Sequence, residues 1–442
     1  MLIEFTVGNF CSFREPATLS MVAARLTSKE RSLDENNVFQ VSGNSELLTS
    51  AAIFGPNASG KSNLLSAMAF MRMFVLASAE GTEREGGIDV KPFRLNRTSQ
   101  QQASHFEMAF ILDGTRYRYG FEATRERVTA EWLYMAPKRI EAMLFERDSN
   151  DIKIGPRFKE GRRLAERTRP NALFLSVAAQ WDGPMAQKVV KWFRRIGISV
   201  GASSSFGMRF FTEDELLDGD NAEEIIELVK RLDIGIAGVR AEKQDEKTEP
   251  AFPPRMPEDL KQALRTLATH ADTRRVAIRT LHKMYDDEGN EAGEVEFDLD
   301  DAESAGTIRL FALAGPLLDT LKSGRLLIVD ELDARLHPQL TREIVRLFNS
   351  SETNPAHAQL IFAAHDANLL DNSLFRRDQL WFIEKNSKGE SQLYSMAEFK
   401  GIRNDLSLER NYIQGRFGAV PYVDGLTTFI KESQAIYGAQ TE

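Results

Sequence analysis

Gly55-Pro56-Asn57-Ala58-Ser59-Gly60-Lys61-Ser62 is the stretch on which the reading of this chain turns. It fits G-x-x-x-x-G-K-[ST] at every fixed position. Before it lies Ala51-Ala52-Ile53-Phe54, a short apolar run that predicts a buried strand. After it, between Asn63 and Leu76, the residues Leu64, Met68, Met71 and Val75 fall on one helical face. Strand, glycine-rich turn and helix together predict a phosphate site. The turn's N–H groups and the helix N-terminus present partial positive charge to an anion. The whole loop, with Asn63 beside it, supplies the candidate contacts. Lys61 is expected to reach the β- and γ-phosphates, and the Ser62 hydroxyl to ligate Mg²⁺.

The chain has 442 residues, enough for two or three domains and a large core. Hydrophobic residues make up 42% and charged residues 27%, as in an ordinary globular protein. The net charge of −9 argues against a uniformly basic nucleic-acid binder but leaves room for a local basic groove. A single cysteine, Cys11, excludes an internal disulfide and a thiolate metal cage. Together with an opening, Leu2-Ile3-Glu4-Phe5-Thr6-Val7, that reads as a strand and not a signal peptide, this predicts a cytoplasmic protein. Leu310 to Leu321, the longest mostly apolar stretch, contains Pro316 and Asp319 and falls short of the ~20 residues a membrane span needs. No membrane association is expected.

Three segments are predicted. Residues 1–130 form an N-terminal lobe with the phosphate loop and an antiparallel β subdomain. Its hairpin runs from His105 to Leu112 and from Thr115 to Ala123 about an Asp113-Gly114 turn. Residues 131–275 lose strand alternation and predict a mainly helical insertion, with helical stretches at Ala172–Ile196 and Glu213–Leu232, a Ser/Gly turn at Gly201–Phe206, and a charged linker at Ala241–Pro257. Residues 276–442 form a C-terminal lobe. Its predicted elements are strands at Val276–Met284, Glu294–Leu299, Leu326–Val329 and Gln359–Ala363, helices at Thr307–Leu321 and Pro338–Phe348, a hairpin between Gln379 and Met396, and a last helix near Leu426–Tyr437. No sustained heptads predict a coiled-coil arm.

The C-terminal lobe carries the remaining chemistry. Leu326-Leu327-Ile328-Val329 ends in Asp330-Glu331, a Walker B pattern. Asp330 is expected to hold Mg²⁺, directly or through water, and Glu331 to act as general base on the attacking water. His365, at the end of the next buried strand, is placed to hydrogen-bond a γ-phosphate. Glu303-Ser304-Ala305-Gly306-Thr307 reads as a helix cap and a second anion site. Arg157, Lys159, Arg162, Arg163, Arg167 and Arg169 read as a solvated basic face, with a polyanion-binding surface as the alternative. Arg14 reads equally as a phosphate contact or a surface residue, and His337 as a helix-start residue.

Phosphate loop, long insertion, capping serine, Walker B, acidic turn and histidine follow one another in the order of an ABC-type ATPase. The chain resembles the ATPase heads of ABC transporters, RecF and SMC proteins. More closely it resembles the RloA/AbiL-like ATPases of bacterial abortive-infection and anti-phage systems, relatives of the ATPase domain of OLD nucleases. The likeness rests on Leu2–Phe5 with Asn9–Phe13, Gly55–Ser62, Glu303–Thr307, Val329–Asp333 with Leu336-His337-Pro338, Ala364-His365-Asp366, Arg376–Trp381 and Gly415–Pro421. It implies an ABC-type P-loop ATPase head: an α/β fold with a mixed sheet, an antiparallel β subdomain and a helical insertion. It implies ATP with Mg²⁺, and a homodimer or higher oligomer in which ATP on Lys61 of one copy is covered by Ser304 and Gly306 of the other. Asp333 is then expected in the turn that communicates across that interface. It implies a sensor that controls a separate RloB-type nuclease or toxin effector, with a phage protein or nucleic acid as trigger. A RecF/SMC-like DNA-repair ATPase is the alternative. Two features depart from the pattern. The signature lacks Leu-Ser-Gly-Gly, and Gln100, Gln101 and Gln102 read as a polar loop, not as the expected glutamine contact.

Overall fold

The computed structural model describes residues 1–41, 45–80, 87–138, 140–201, 204–233, 235–244, 275–403, 406–421 and 430. In chain order the strands that matter are β1 (Leu2–Gly8), β2 (Ala17–Ser20), β3 (Val38–Val41), β4 (Ser45–Leu48), β5 (Ser50–Phe54), β6 (Ser104–Leu112), β7 (Thr115–Ala123), β8 (Val128–Ala136), β9 (Ala142–Asp148), β10 (Asp151–Ile154), β11 (Gly197–Ser199), β12 (Gly238–Gln244), β13 (Arg275–Tyr285), β14 (Glu291–Asp298), β15 (Leu326–Val329), β16 (Gln359–Ala363), β17 (Leu380–Lys385) and β18 (Ser391–Ser395). The helices are α1 (Arg31–Asn36), α2 (Lys61–Ala77), α3 (Phe174–Gln180), α4 (Pro184–Arg194), α5 (Ser204–Asp218), α6 (Ala222–Leu232), α7 (Ala305–Ser323), α8 (Pro338–Phe348) and α9 (Leu408–Ile413).

The chain divides into two compact units. The first contains Met1–Val200, Gly324–Asp333 and Thr341–Glu442. Its central sheet runs β11-β15-β16-β5-β17-β18. The first five strands are parallel, through four pairings, and β18 closes the edge antiparallel to β17. Leu326–Val329 and Gln359–Ala363 are buried throughout, which is why Leu326–Val329 and Leu360–Ala363 read as unbroken apolar runs. A seven-stranded antiparallel sheet, β10-β9-β8-β7-β6-β1-β2, forms a second layer. One core joins the layers: Phe5, Val7 and Phe106 from the antiparallel sheet, Leu64, Met68 and Met71 from α2, and Ile53 and Ile361 from the parallel sheet.

The β6–β7 hairpin turns at Asp113 and Gly114, both at positive φ (47° and 72°), the geometry a two-residue turn requires. Phe106, Met108 and Phe110 face the core, which settles a register that the alternation alone leaves open. Gln359 fastens β1 to the parallel sheet. Its buried amide accepts from Leu2 N (2.6 Å) and donates to Leu2 O (3.1 Å) and Leu48 O (3.2 Å).

The second unit contains Gly201–Ser323 and Ala334–Leu340. Its sheet β12-β13-β14 is antiparallel. Ile225 and Val229 of α6, Val239, Ile278, and Phe311 and Ala314 of α7 make its own core.

The expected segment boundaries differ from these units. The region 131–275, expected to be mainly helical, opens with the end of β8 and all of β9 and β10, which complete the antiparallel sheet. The alternation there was hidden because two inward positions are charged, Glu131 on β8 and Arg147 on β9. β11 and β12 add further strands to the same region. The single helix expected over Ala172–Ile196 is two, α3 and α4, broken where Asp182 takes φ 58°. The turn expected at Gly201–Phe206 gives way to α5 at Ser204. Most of the charged linker and the last predicted helix, Leu426–Tyr437, lie outside the described residues.

Candidate functional site

Three parallel strands deliver the site. β16 lies between β5 and β15, and the pairings Ile53–Ala363 and Val329–Phe362 align their C-terminal ends. Gly55, His365 and Asp330 therefore leave the sheet along one edge, where ligands of open α/β sheets bind.

The loop after β5 needs its glycines. Gly55 (φ 158°) runs so close to the Ile383 carbonyl that a Cβ would strike it. Gly60 (φ 119°) lies in the left-handed region, against the hydroxyls of Ser391 and Ser12. Asn57, Ala58 and Ser62 are exposed, Pro56 is half-buried, and Ser59 is buried. Lys61 opens α2 at 4% exposure and donates to Gly55 O (2.6 Å) and Pro56 O (3.2 Å). Burial lowers the pKa of its ammonium, and the charges of Asp330, Asp333 and Glu331 oppose that fall. Asn63 donates its amide to Ser12 Oγ (2.7 Å).

Burial raises the Asp330 carboxyl above the ordinary range, and the nearby Glu331 charge adds to the rise. The Ser62 hydroxyl, hydrogen-bonded to it, and the Lys61 ammonium oppose it. Glu331 is exposed and sits at φ 50°, a conformation uncommon outside glycine. The turn is fixed by Leu332 N donating to Ala363 O (3.1 Å) and by Asp333, whose Oδ2 accepts from the N–H groups of His365 (2.8 Å) and Asp366 (2.7 Å). The His365 side chain is exposed. Lys61, Asp330, Glu331, Asp333 and His365 are thus gathered on one sheet edge.

The donor set suits Mg²⁺. Ser62 and Asp330 offer two hard oxygens in contact, and Mg²⁺ is usually held by one or two such protein oxygens with water and phosphate completing its shell. Three carboxylates against one ammonium also disfavour a bare polyanion and favour one accompanied by a divalent cation.

Ser304 and Gly306 belong to the second unit. Ser304 is the N-cap of α7: its Oγ accepts from Thr307 N (3.1 Å) and lies 3.0 Å from Thr307 Oγ1. Thr307 Oγ1 donates to Asp233 Oδ2 (2.6 Å), so the Ser304 proton points to Thr307. A Cβ on Gly306 would press on the Arg335 carbonyl at 2.9 Å. Glu303 is held from below by His282 Nε2 (2.6 Å) and the Thr280 hydroxyl.

Other sequence candidates play local parts. Arg14 pairs with Glu390 (2.8 Å). His337 Nδ1 accepts from Gln339 N (3.2 Å) at the start of α8. Gln100 donates to Arg94 O (2.6 Å) from a short 3₁₀ turn. Sequence reasoning missed Ser391, which approaches the phosphate loop from 332 positions away. Its only sequence signal was the predicted hairpin that carries it.

Among the described residues no helix is long and apolar enough to cross a membrane. No curated protein matches the chain. Among solved structures it is similar to the SMC head domain from Thermotoga maritima, at 15% identity over 89% of this chain and 98% of that one, with a TM-score of 0.37. The model of the family described as "AAA domain, putative AbiEii toxin, Type IV TA system" matches residues 50–371, well over half of the sequence. The chain is a P-loop ATPase-type protein and belongs to that family.

Proposed function

We propose that this protein binds and hydrolyses ATP with Mg²⁺, and that it acts as the sensor and regulator of a separate toxin or nuclease effector in anti-phage defence. One observation carries the chemistry: Lys61, the Ser62–Asp330 pair, Glu331 and His365 emerge together at the ends of β5, β15 and β16. The regulatory half rests on the family's toxin–antitoxin description and on the RloA-type sequence likeness.

In this reading the loop amides and Lys61 bind the β- and γ-phosphates. Ser62 and Asp330 would hold Mg²⁺, which when bound would supply charge neutralisation for the phosphate oxygens. Glu331 accepts the proton of the attacking water, and His365 donates to the γ-phosphate. Ser304 and Gly306 of a second copy cover the nucleotide, and Asp333 connects that event to the His365 strand. Ser304 must turn its proton away from Thr307 to donate to phosphate, so closure includes a rotamer change there. An RloB-type effector would read the closed state.

Steady-state phosphate release tests the chemistry. Lys61→Ala is expected to abolish tight Mg·ATP binding. Glu331→Gln is expected to keep binding and lose roughly 10²- to 10⁴-fold in turnover. Wild-type turnover in Glu331→Gln removes it as the base. Co-expression with the adjacent reading frame and pull-down tests the effector.

A RecF/SMC-like DNA ATPase is the second reading. It is favoured by exposed Arg157, Lys159, Arg162, Arg163 and Arg167, with the Arg167 guanidinium 5.0 Å above the ring of exposed Trp181. DNA-stimulated hydrolysis with no co-purifying effector would select it.

A further inference from the structure

Three side chains and one backbone carbonyl form a directed hydrogen-bond relay behind the phosphate loop. Asn63 Nδ2 on α2 donates to Ser12 Oγ (2.7 Å). Ser12 Oγ and Ser391 Oγ are 2.7 Å apart, and Ser391 Oγ is 2.5 Å from the Ser59 carbonyl. Ser391 N also donates to Ser12 O (2.7 Å), locking the start of β18 to the turn after β1. Ser12, Ser59 and Ser391 are buried.

A hydroxyl carries one proton, and a carbonyl accepts only. The Ser391 proton therefore goes to Ser59 O. With that proton used, the Ser12–Ser391 contact takes the Ser12 proton, and Ser12 in turn accepts from Asn63. The Ser59 carbonyl thus sets the sense of the whole relay. A trans peptide points its C=O and the following N–H in opposite directions. With Ser59 C=O drawn back to Ser391, Gly60 N–H points to the opposite side of the loop, away from Ser391. Gly60 at φ 119° is conformationally permissive, so this peptide has freedom to turn over unless something holds it. A turned peptide would present a carbonyl dipole, not an N–H, to an anion.

We infer that Ser391 is a positioning residue for triphosphate binding: with Ser12 and Asn63 it holds the Ser59–Gly60 peptide in its anion-binding orientation, and so makes the β17–β18 hairpin part of the nucleotide site. This rests on the reading of Gly55–Ser62 as a triphosphate loop. No residue of the relay other than Ser59 belongs to the motif itself, and Asn63 directly follows it.

Calorimetry with Mg·ATP on the full chain, paired with steady-state kinetics, tests it. Ser391→Ala should weaken Mg·ATP binding about 5- to 10-fold, the equivalent of one hydrogen bond. KM should rise in step while kcat stays within about twofold, a split that a general loss of packing would not give. Ser12→Ala should weaken binding about threefold, and the double variant should be no weaker than Ser391→Ala alone, because the two act through one relay. Wild-type affinity in Ser391→Ala overturns the inference, as does strict additivity with Ser12→Ala. Should Ser391→Ala fail to fold, Ser12→Ala alone decides, since it frees the Ser391 hydroxyl to rotate; wild-type affinity there also overturns it. Lys61→Ala separates the two levels. If it binds Mg·ATP normally, the triphosphate reading itself falls; if it loses binding while Ser391→Ala does not, only the role of Ser391 falls.

Discussion

Glu131 and Arg147 show how much of this protein is decided by single side chains that no motif marks. Glu131 is fully buried and accepts from Phe174 N (2.6 Å), Leu175 N (3.0 Å) and Tyr119 Oη (3.1 Å), capping the start of α3. Arg147 lies 3.7 Å away and donates to Ala172 O (2.7 Å) and Ser149 O (2.8 Å). Burial raises the carboxyl's pKa and lowers the guanidinium's, and their mutual attraction only partly offsets either shift. The pair is therefore held by its hydrogen bonds more than by its charge. Glu131→Ala, which strands Arg147 in the core, is expected to cost about 3–5 kcal/mol, read as a fall in the urea midpoint; Glu131→Gln should cost clearly less. Equal losses would show that the carboxylate charge, and not the capping, dominates. The phosphate loop, Asp330, Glu331 and His365 were legible because they sit at fixed offsets from strand ends. Glu131 and Ser391 were not, because their partners lie tens to hundreds of positions away and a lone Glu or Ser carries no pattern.

Strands β5, β15 and β16 of the parallel sheet were legible because burial on both faces leaves an unmistakable apolar run, as in Leu326–Val329, whereas the three-residue, half-buried β11 was not. The outer antiparallel strands were only half legible. β6 and β7 alternate cleanly, but β8 and β9 put Glu131 and Arg147 on the core side and so lose their periodicity. Gly120 in the middle of β7 has a reason only the fold reveals. The Trp132 ring lies across it to donate from Nε1 to Glu107 (2.7 Å), and a Cβ at 120 would also approach the Phe106 carbonyl to 2.7 Å. Gly120→Ala is expected to cost about 1–3 kcal/mol by forcing the ring aside, despite alanine's better fit to a strand. A rise in the unfolding midpoint would contradict that packing. Gln359 joins β16 to β1 with two hydrogen bonds and to the end of β4 with a third, all buried, so Gln359→Leu should lose about 1–3 kcal/mol through unsatisfied Leu2 and Leu48 groups.

In its proposed working state the protein is at least two copies, because the capping corner at Ser304 and Gly306 is proposed to act on the nucleotide of a second chain. An N-terminal helix dipole and a freed hydroxyl closing on a triphosphate would make assembly depend on nucleotide, and hydrolysis would release it. Replacing Ser304 by arginine should place bulk at that corner and leave the phosphate loop of each copy intact. The decisive measurement is the solution mass of Glu331→Gln with and without Mg·ATP, repeated with Ser304→Arg added. The account predicts a higher-order species, a dimer or multiple of it, only with Mg·ATP, and its loss in the double variant while nucleotide still binds. A Glu331→Gln protein that binds Mg·ATP stoichiometrically yet keeps the same mass as the nucleotide-free form would contradict the shared site.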